Sequence, residues 1–357
     1  MIDLKILKKE SIQLLMKLIT IPSISKKEYK VSLLIENYLH KYGFKVKRKF
    51  NNIWTESINY NNKKNIKTIL LNTHHDTINP GKSWITNPFY PIKKGNKIIG
   101  LGSNDAGGSI VSLLSAFIYL CKLPELPYKL IMSITAEEEI SGSLGIISIL
   151  SELGTIDLGI VGEPTNMKLA IAEKGLLILD CIAIGKTGHS AINDGINAIY
   201  IASKDIESIQ NIYFKKKSNL LGEIKLSVTQ IFGGIQHNVI PDVCTFVLDV
   251  RTNELYNNKE LISSIQSKIT SKVYPRSFNR NHSFINIMHP IVKKSKKIGL
   301  KTYGSPTLSD QSIMNFPTIK IGVGDSTRSH TSNEYILISE IIEGIEIYVN
   351  LLKDFCF

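Results

Sequence analysis

The segment Ile66-Lys67-Thr68-Ile69-Leu70-Leu71-Asn72-Thr73-His74-His75-Asp76 decides the fold. Ile66 to Leu71, with its apolar Ile69-Leu70-Leu71, is of strand length and reads as a buried strand, and it leads into polar residues able to hold a metal. The same design recurs outward along the chain. Leu130 to Ile134 predicts a strand ending at Glu137-Glu138-Glu139, and Leu158 to Val161 one ending at Gly162-Glu163-Pro164-Thr165. Ile98-Ile99 leads into Gly102-Ser103-Asn104-Asp105-Ala106-Gly107-Gly108, and Ser109 to Leu120 reads as an apolar helix just behind it. Helical spacing is also present over Asp3 to Leu18 and Tyr29 to His40, and Phe44 to Lys47 is strand-like. Strands alternating with helices predict an α/β fold with a mostly parallel sheet, whose ligands gather beyond the carboxyl ends of the strands.

The pattern changes after Lys174-Gly175. Strand Leu176 to Ile184, helix Ile192 to Ile209, strands Ile224 to Ile231 and Val243 to Val250, helix Leu261 to Ile269 and strand Lys272 to Tyr274 follow in order. This β-α-β-β-α-β succession is the ferredoxin-like arrangement. From Phe284 the α/β character returns, with helix Ile291 to Ile298, strand Thr318 to Val323 and helix Ser339 to Leu352. Residues 1–175 and 284–357 are therefore expected to form one discontinuous domain, with 176–283 inserted into it.

Five ligand candidates fall in the order His74, Asp105, Glu139, Glu163 and His330. Two imidazoles and three carboxylates suit a pair of borderline divalent ions sharing one carboxylate, a device that activates water at neutral pH. Alternate residues of a strand share a face, so Asp76 can support His74 while His75 points away. The small residues around Asp105 permit a close approach. Three adjacent carboxylates at Glu137 to Glu139 repel one another unless a cation is near; one can ligate while its neighbour serves as general base.

At this point the sequence resembles the di-zinc amidohydrolases that include acetylornithine deacetylase, succinyl-diaminopimelate desuccinylase, aminoacylase and glutamate carboxypeptidase. The motifs that carry the resemblance are His74-His75-Asp76-Thr77-Ile78, Gly102 to Asp105, Glu138-Glu139, Gly162 to Thr165 and His330 to Tyr335. The resemblance implies a di-zinc exopeptidase-like domain with an inserted lid and dimerisation domain. It implies that His74, Asp105 and Glu163 hold one zinc and Asp105, Glu139 and His330 the other, with cobalt as an alternative metal. It further implies that Asp76 orients His74, that Glu138 is the base, and that His189 in Gly188-His189-Ser190-Ala191 reaches a neighbouring active site to stabilise the oxyanion, which needs a homodimer. Asn238, Arg251 and Arg328 are offered as holders of a substrate carboxylate, since an Arg fork matches a carboxylate. The loop Asp105-Ala106-Gly107-Gly108 departs from the family's Asp-Met-Lys-Gly, away from any ligand.

Bulk properties bound the rest. The chain has 357 residues, 43% of them hydrophobic and 21% charged, which fits about two globular domains. Its net charge is +12, but the lysines are dispersed in pairs such as Lys8-Lys9, Lys26-Lys27 and Lys63-Lys64 without interleaved aromatics, so a solvated surface is expected rather than a nucleic-acid interface. The start Met1-Ile2-Asp3-Leu4-Lys5 lacks a leader's apolar core, no apolar run is expected to span a bilayer, and the four cysteines form no C-x-x-C pair; together these predict a cytoplasmic protein with reduced thiols. The expected activity is removal of an acyl group from an N-acyl amino acid, N-acetylornithine first, with N-succinyl-diaminopimelate or an N-acylcitrulline as rivals. A non-catalytic homologue with a vestigial site is the reading from another class, which the intact ligand set disfavours.

Overall fold

The computed structural model describes residues 3–60, 66–192, 194–277 and 280–357. Lys63-Lys64 and the Met1-Ile2 start of the leader reading lie outside them. The chain forms two compact units: Met1–Ile171 with Ile285–Tyr303 and Ser309–Phe357, and Ala172–Phe284 with Gly304–Leu308. The short return of Gly304–Leu308 to the second unit has no signal in hydropathy.

In the first unit the strand Thr68–His74 is buried along its whole length, as its apolar run requires. It pairs in parallel with Lys129–Thr135 on one side and Leu158–Val161 on the other. Thr318–Lys320 extends the parallel set beyond Leu158–Val161, and antiparallel strands Asn52–Glu56 and Leu169–Glu173 flank it. The sequence reading omitted both flanking strands and placed a strand at Phe44 to Lys47, where the observed one is Lys47–Lys49. Asn51-Asn52 reads as turn chemistry, yet Asn52 is buried and its amide bonds the Leu144 carbonyl at 2.6 Å, which tertiary structure alone supplies.

Helix Gly108–Cys121 is buried on every side except at Tyr119, where it packs among Leu4–Ile19, Ile338–Leu352 and the sheet. An apolar stripe on one face would not be enough for such a position, which explains a composition that is apolar all round. The segment Ser103–Cys121 is long and apolar enough to cross a membrane by composition, contrary to expectation, but 89% of it is buried inside this unit.

The second unit carries a four-stranded antiparallel sheet in the order Lys225–Gly233, Val243–Thr252, Gly175–Ile184 and Lys272–Pro275. Gly175–Ile184 alternates strictly between buried and part-exposed residues, the signature of a sheet covered on one face. Helices Ala198–Gln210 and Asn258–Gln266 supply Ala198, Ala202, Leu261 and Ile265 to that core. The first helix begins at Ala198 rather than Ile192, because the Asn197 side chain caps it at the Ile199 N–H. Cys121, Cys181 and Cys244 are buried and free; Cys356 is free and exposed.

Candidate metal centre

All five ligand candidates belong to the first unit, and the parallel sheet sets where they meet. His74 is the last residue of its strand. Its Nδ1 lies 3.0 Å from the Asp76 carbonyl oxygen and 3.4 Å from Asp76 Oδ1. That leaves Nε2 facing outward, 3.2 Å from Asp105 Oδ1 and 3.8 Å from Glu163 Oε1. On the other side His330 Nε2 lies 2.9 Å from Glu139 Oε2 and 3.7 Å from Asp105 Oδ2. The two oxygens of Asp105 thus face two different histidines, each accompanied by its own glutamate, which is the disposition a bridging carboxylate needs. Ligand atoms of His74, Asp105 and Glu139 all fall within 4.8 Å of one another.

Asp76 does more than orient His74. Its fully buried carboxylate accepts the Ser25 hydroxyl at 2.7 Å, the Glu138 N–H at 3.0 Å and the Glu139 N–H at 3.2 Å, so one residue fixes both the imidazole and the acidic loop. The acidic triplet does not face the site as a whole. Glu137 takes a left-handed φ of 58°, and its Oε2 turns back to accept the Leu144 N–H at 3.2 Å, which presents only Glu138 and Glu139 to the centre. His330 also has a left-handed φ, 59°, a conformation that costs a non-glycine residue energy and that clusters at functional sites. His75 points away from the cluster, as the strand pattern predicts; its buried ring has no hydrogen-bond partner among the described residues, and burial pushes its pKa down to about 3.

The electrostatics explain what the cluster fits. Burial raises the pKa of Glu138, reinforced by Glu163, and burial raises Glu139 against the opposing bond from His330. Burial also pushes Glu163 up to about 8, with His74 opposing and Asp105 adding to the rise. Burial opposes charge on His74, but Glu163, Asp105 and Asp76 outweigh it and raise the imidazole. Glu163 Oε1 is buried with no hydrogen-bond partner among the described residues. Four carboxylates gathered in low dielectric, one with an oxygen that accepts no hydrogen bond from the described residues, match the charge and the oxygen preference of two divalent cations. The donor set fits such a pair.

The residues offered as substrate holders are disposed differently. Both terminal nitrogens of the Arg328 fork donate to Glu340, at 2.8 and 2.9 Å, and the guanidinium stacks on Tyr335, so Arg328 anchors the His330 loop instead of presenting a free fork. Arg251 likewise closes on Asp249, two residues before it on the same strand, at 2.8 and 3.0 Å. In the second unit His189 is exposed on a two-residue strand paired with Val239–Ile240, and the Ser190 N–H donates to the Asn238 carbonyl at 3.1 Å, so these two candidates lie side by side. Two residues that hold the centre were assigned no role from sequence. Glu334, buried and pushed up to about 8 by burial and Asp105 against its N–H bonds, accepts from the Asp105 loop; Asn104 joins that loop to Ser329 and Asp325. Glu334 does lie inside the His330 to Tyr335 motif, four residues after His330, and that placement is the signal that could have marked it.

Comparison with known proteins agrees with this geometry. Residues 70–354 match the model of Peptidase family M20/M25/M40. The chain belongs to that family. As a member of family M20 it is a metal-dependent hydrolase of amide bonds. It is 27% identical to the succinyl-diaminopimelate desuccinylase of Buchnera aphidicola subsp. Cinara cedri over 94% of this chain and 96% of that one. It is also 27% identical to the acetylornithine deacetylase of Buchnera aphidicola subsp. Schizaphis graminum, with 81% of each covered. Among solved structures, the M20 family metallo-carboxypeptidase Sso-CP2 of Sulfolobus solfataricus superposes with a TM-score of 0.77 at 18% identity, covering 96% and 98% of the two chains. The M20 fold is thus shared well beyond sequence similarity.

Proposed function

We propose that this M20 hydrolase removes the acyl group from an N-acyl amino acid, with N-acetylornithine as the preferred substrate and ornithine and acetate as products. The observation that carries the reading is Asp105 facing His74 with one oxygen and His330 with the other, with Glu138 buried within electrostatic reach of His74 and Glu163. His74, Asp105 and Glu163 would hold one divalent ion, and Asp105, Glu139 and His330 a second, with zinc as the proposed metal. When bound, such a pair supplies Lewis acidity and lowers the pKa of water. Glu138 takes the proton of the attacking water and returns it to the leaving amine nitrogen; its raised affinity for a proton, set by burial and Glu163, suits that shuttle. Asp76 keeps His74 and the Glu138 backbone in place throughout.

Substrate choice rests on cation supply. The sequence has five arginines, and four of them close on carboxylates of this chain: Arg48 on Glu36, Arg251 on Asp249, Arg276 on Asp180 and Arg328 on Glu340. A diaminopimelate substrate brings a second carboxylate at its far end and so needs one more cationic or amide holder than ornithine does. The desuccinylase reading is kept as the second one, because the relative of that name aligns over nearly the whole chain; an N-acylcitrulline is the third. A hydrolysis panel of N-acetylornithine, N-acetylcitrulline, N-succinylornithine and N-succinyl-diaminopimelate, run with zinc or cobalt, decides among them. We expect N-acetylornithine or a close N-acyl relative to exceed N-succinyl-diaminopimelate by at least about tenfold in kcat/KM, roughly the value of one satisfied polar contact. A best rate with N-succinyl-diaminopimelate would reverse the assignment and leave the metal chemistry standing.

The proposed assembly is a cytoplasmic homodimer without nucleic-acid or membrane partners. The dimer is supported by the edge strand Lys225–Gly233, which exposes Ile231 and Phe232 along a sheet edge with no partner strand among the described residues, the kind of edge proteins usually cover. In such a dimer His189 would serve the partner's site. Mixing inactive Glu138→Gln with inactive His189→Ala should then restore part of the activity, since a mixed dimer assembles one complete site. Proven subunit exchange with no recovery would refute the role across the interface.

A further inference from the structure

We infer that Glu334 is a positioning residue that locks the Asp105 and His330 loops into one rigid ligand frame. Its buried carboxylate accepts three backbone N–H groups of the Asp105 loop: Asn104 at 2.7 Å and Asp105 itself at 2.9 Å on Oε1, and Gly102 at 2.9 Å on Oε2. None of these three bonds belongs to a helix or a sheet ladder, so without Glu334 the Gly102, Asn104 and Asp105 N–H groups lose the acceptor they use here. Gly102 has a left-handed φ of 72°, and a Cβ there would meet Thr77 Cγ2 at 2.6 Å, so only glycine lets the turn pack this closely on Thr77.

The backbone of Glu334 is fixed independently. Tyr335–Leu337 pairs with Lys97–Ile99, and the Gly100 N–H continues that ladder to the Glu334 carbonyl at 3.0 Å. The side chain therefore projects from a strand onto the loop that follows the neighbouring strand. Four residues upstream in the same segment is His330. Asn104 closes a second clasp from the other side: its Oδ1 accepts the Asp325 N–H at 3.0 Å, and its Nδ2 donates to the Asp325 carbonyl at 3.0 Å and to Ser329 Oγ at 3.2 Å. Asp105 and His330, far apart in sequence, are thus held through two adjacent ties rather than by the metal site alone. A residue that grips the backbone of the bridging ligand sets the distance between the two histidines, and with it the affinity and geometry of both sites.

This inference rests on the reading of the cluster as a two-metal centre. Glu334→Gln offers one acceptor oxygen where two are used; its amide must oppose at least one N–H, so one tie is released without loss of volume. The experiment titrates metal-free wild type and Glu334→Gln with cobalt(II), following the visible spectrum of the bound ion, and measures thermal unfolding of both metal-free proteins. We expect wild type to take up about two ions. Glu334→Gln should bind them about 10- to 100-fold more weakly, the effect usual for residues that orient ligands, with an altered cobalt spectrum. Two ions bound by Glu334→Gln with wild-type affinity and spectrum would overturn the inference alone. A wild type that never approaches two ions would instead refute the two-metal reading. Should Glu334→Gln fail to fold, Glu334→Asp, whose shorter arm keeps the charge but gives up reach, takes its place in the titration. If neither variant folds, Glu334 determines the fold rather than the ligand frame, and the inference fails.

Discussion

Glu138→Gln should reduce turnover by about 10²- to 10⁴-fold while the protein keeps its full metal complement. The exchange preserves shape and removes the only function assigned to that side chain, which is to accept and return a proton. Its backbone N–H remains on Asp76 Oδ1, so the loop and Glu139 stay where they are. Parallel elemental analysis and steady-state kinetics check both halves of the statement. Glu139→Gln provides the contrast: it touches His330 at 2.9 Å, and its loss should appear first as missing metal. Near-normal turnover in Glu138→Gln would mean that base and ligand had been exchanged between the two residues.

Asp105→Ala should be more drastic still. Both oxygens of Asp105 are engaged, one toward His74 and one toward His330, so its removal damages both halves of the centre at once. Metal content should drop from about two ions per chain to less than one, and hydrolysis should become undetectable. His330→Ala, which removes a ligand from one side only, should retain about one ion. If Asp105→Ala still bound two ions per chain, the bridge would have to be sought among the other carboxylates.

Most of the centre was legible because its residues follow apolar strands of one parallel sheet, and such a sheet delivers the ends of its strands to one place. His74 and Glu163 are the plainest examples: His74 ends the strand that holds Ile69-Leu70-Leu71, and Glu163 lies two residues past the strand Leu158–Val161. The acidic triplet was only half legible, since nothing in its composition tells that a left-handed turn withdraws Glu137. The pairing of Arg251 and Arg328 within the chain was illegible for a different reason. A free fork and a paired one look alike in a sequence, although Asp249 lies at the spacing that shares a strand face with Arg251 and could have been noticed. Arg328 finds Glu340 on a helix that begins ten residues later, and that contact exists only once the helix has docked. Glu334 was visible as part of the His330 to Tyr335 motif, but its role was not, because its partners are backbone N–H groups, which every residue possesses.

The position of Thr318–Lys320 in the sheet carries a consequence for the life of the newly made polypeptide. That strand lies between Leu158–Val161 and Leu169–Glu173, two strands that are near neighbours in sequence, so a gap in the sheet has to wait for a segment made much later. His330 and the Glu334 tie come later still. At typical synthesis rates, the ribosome needs on the order of 10–30 s to travel from Glu163, the last of the amino-terminal ligands, to His330. Throughout that interval the amino-terminal ligands are already in hand and the centre cannot close. A nascent chain is therefore unable to hydrolyse anything, and a message that stops short of this final stretch yields an inert product, however well its earlier strands have formed.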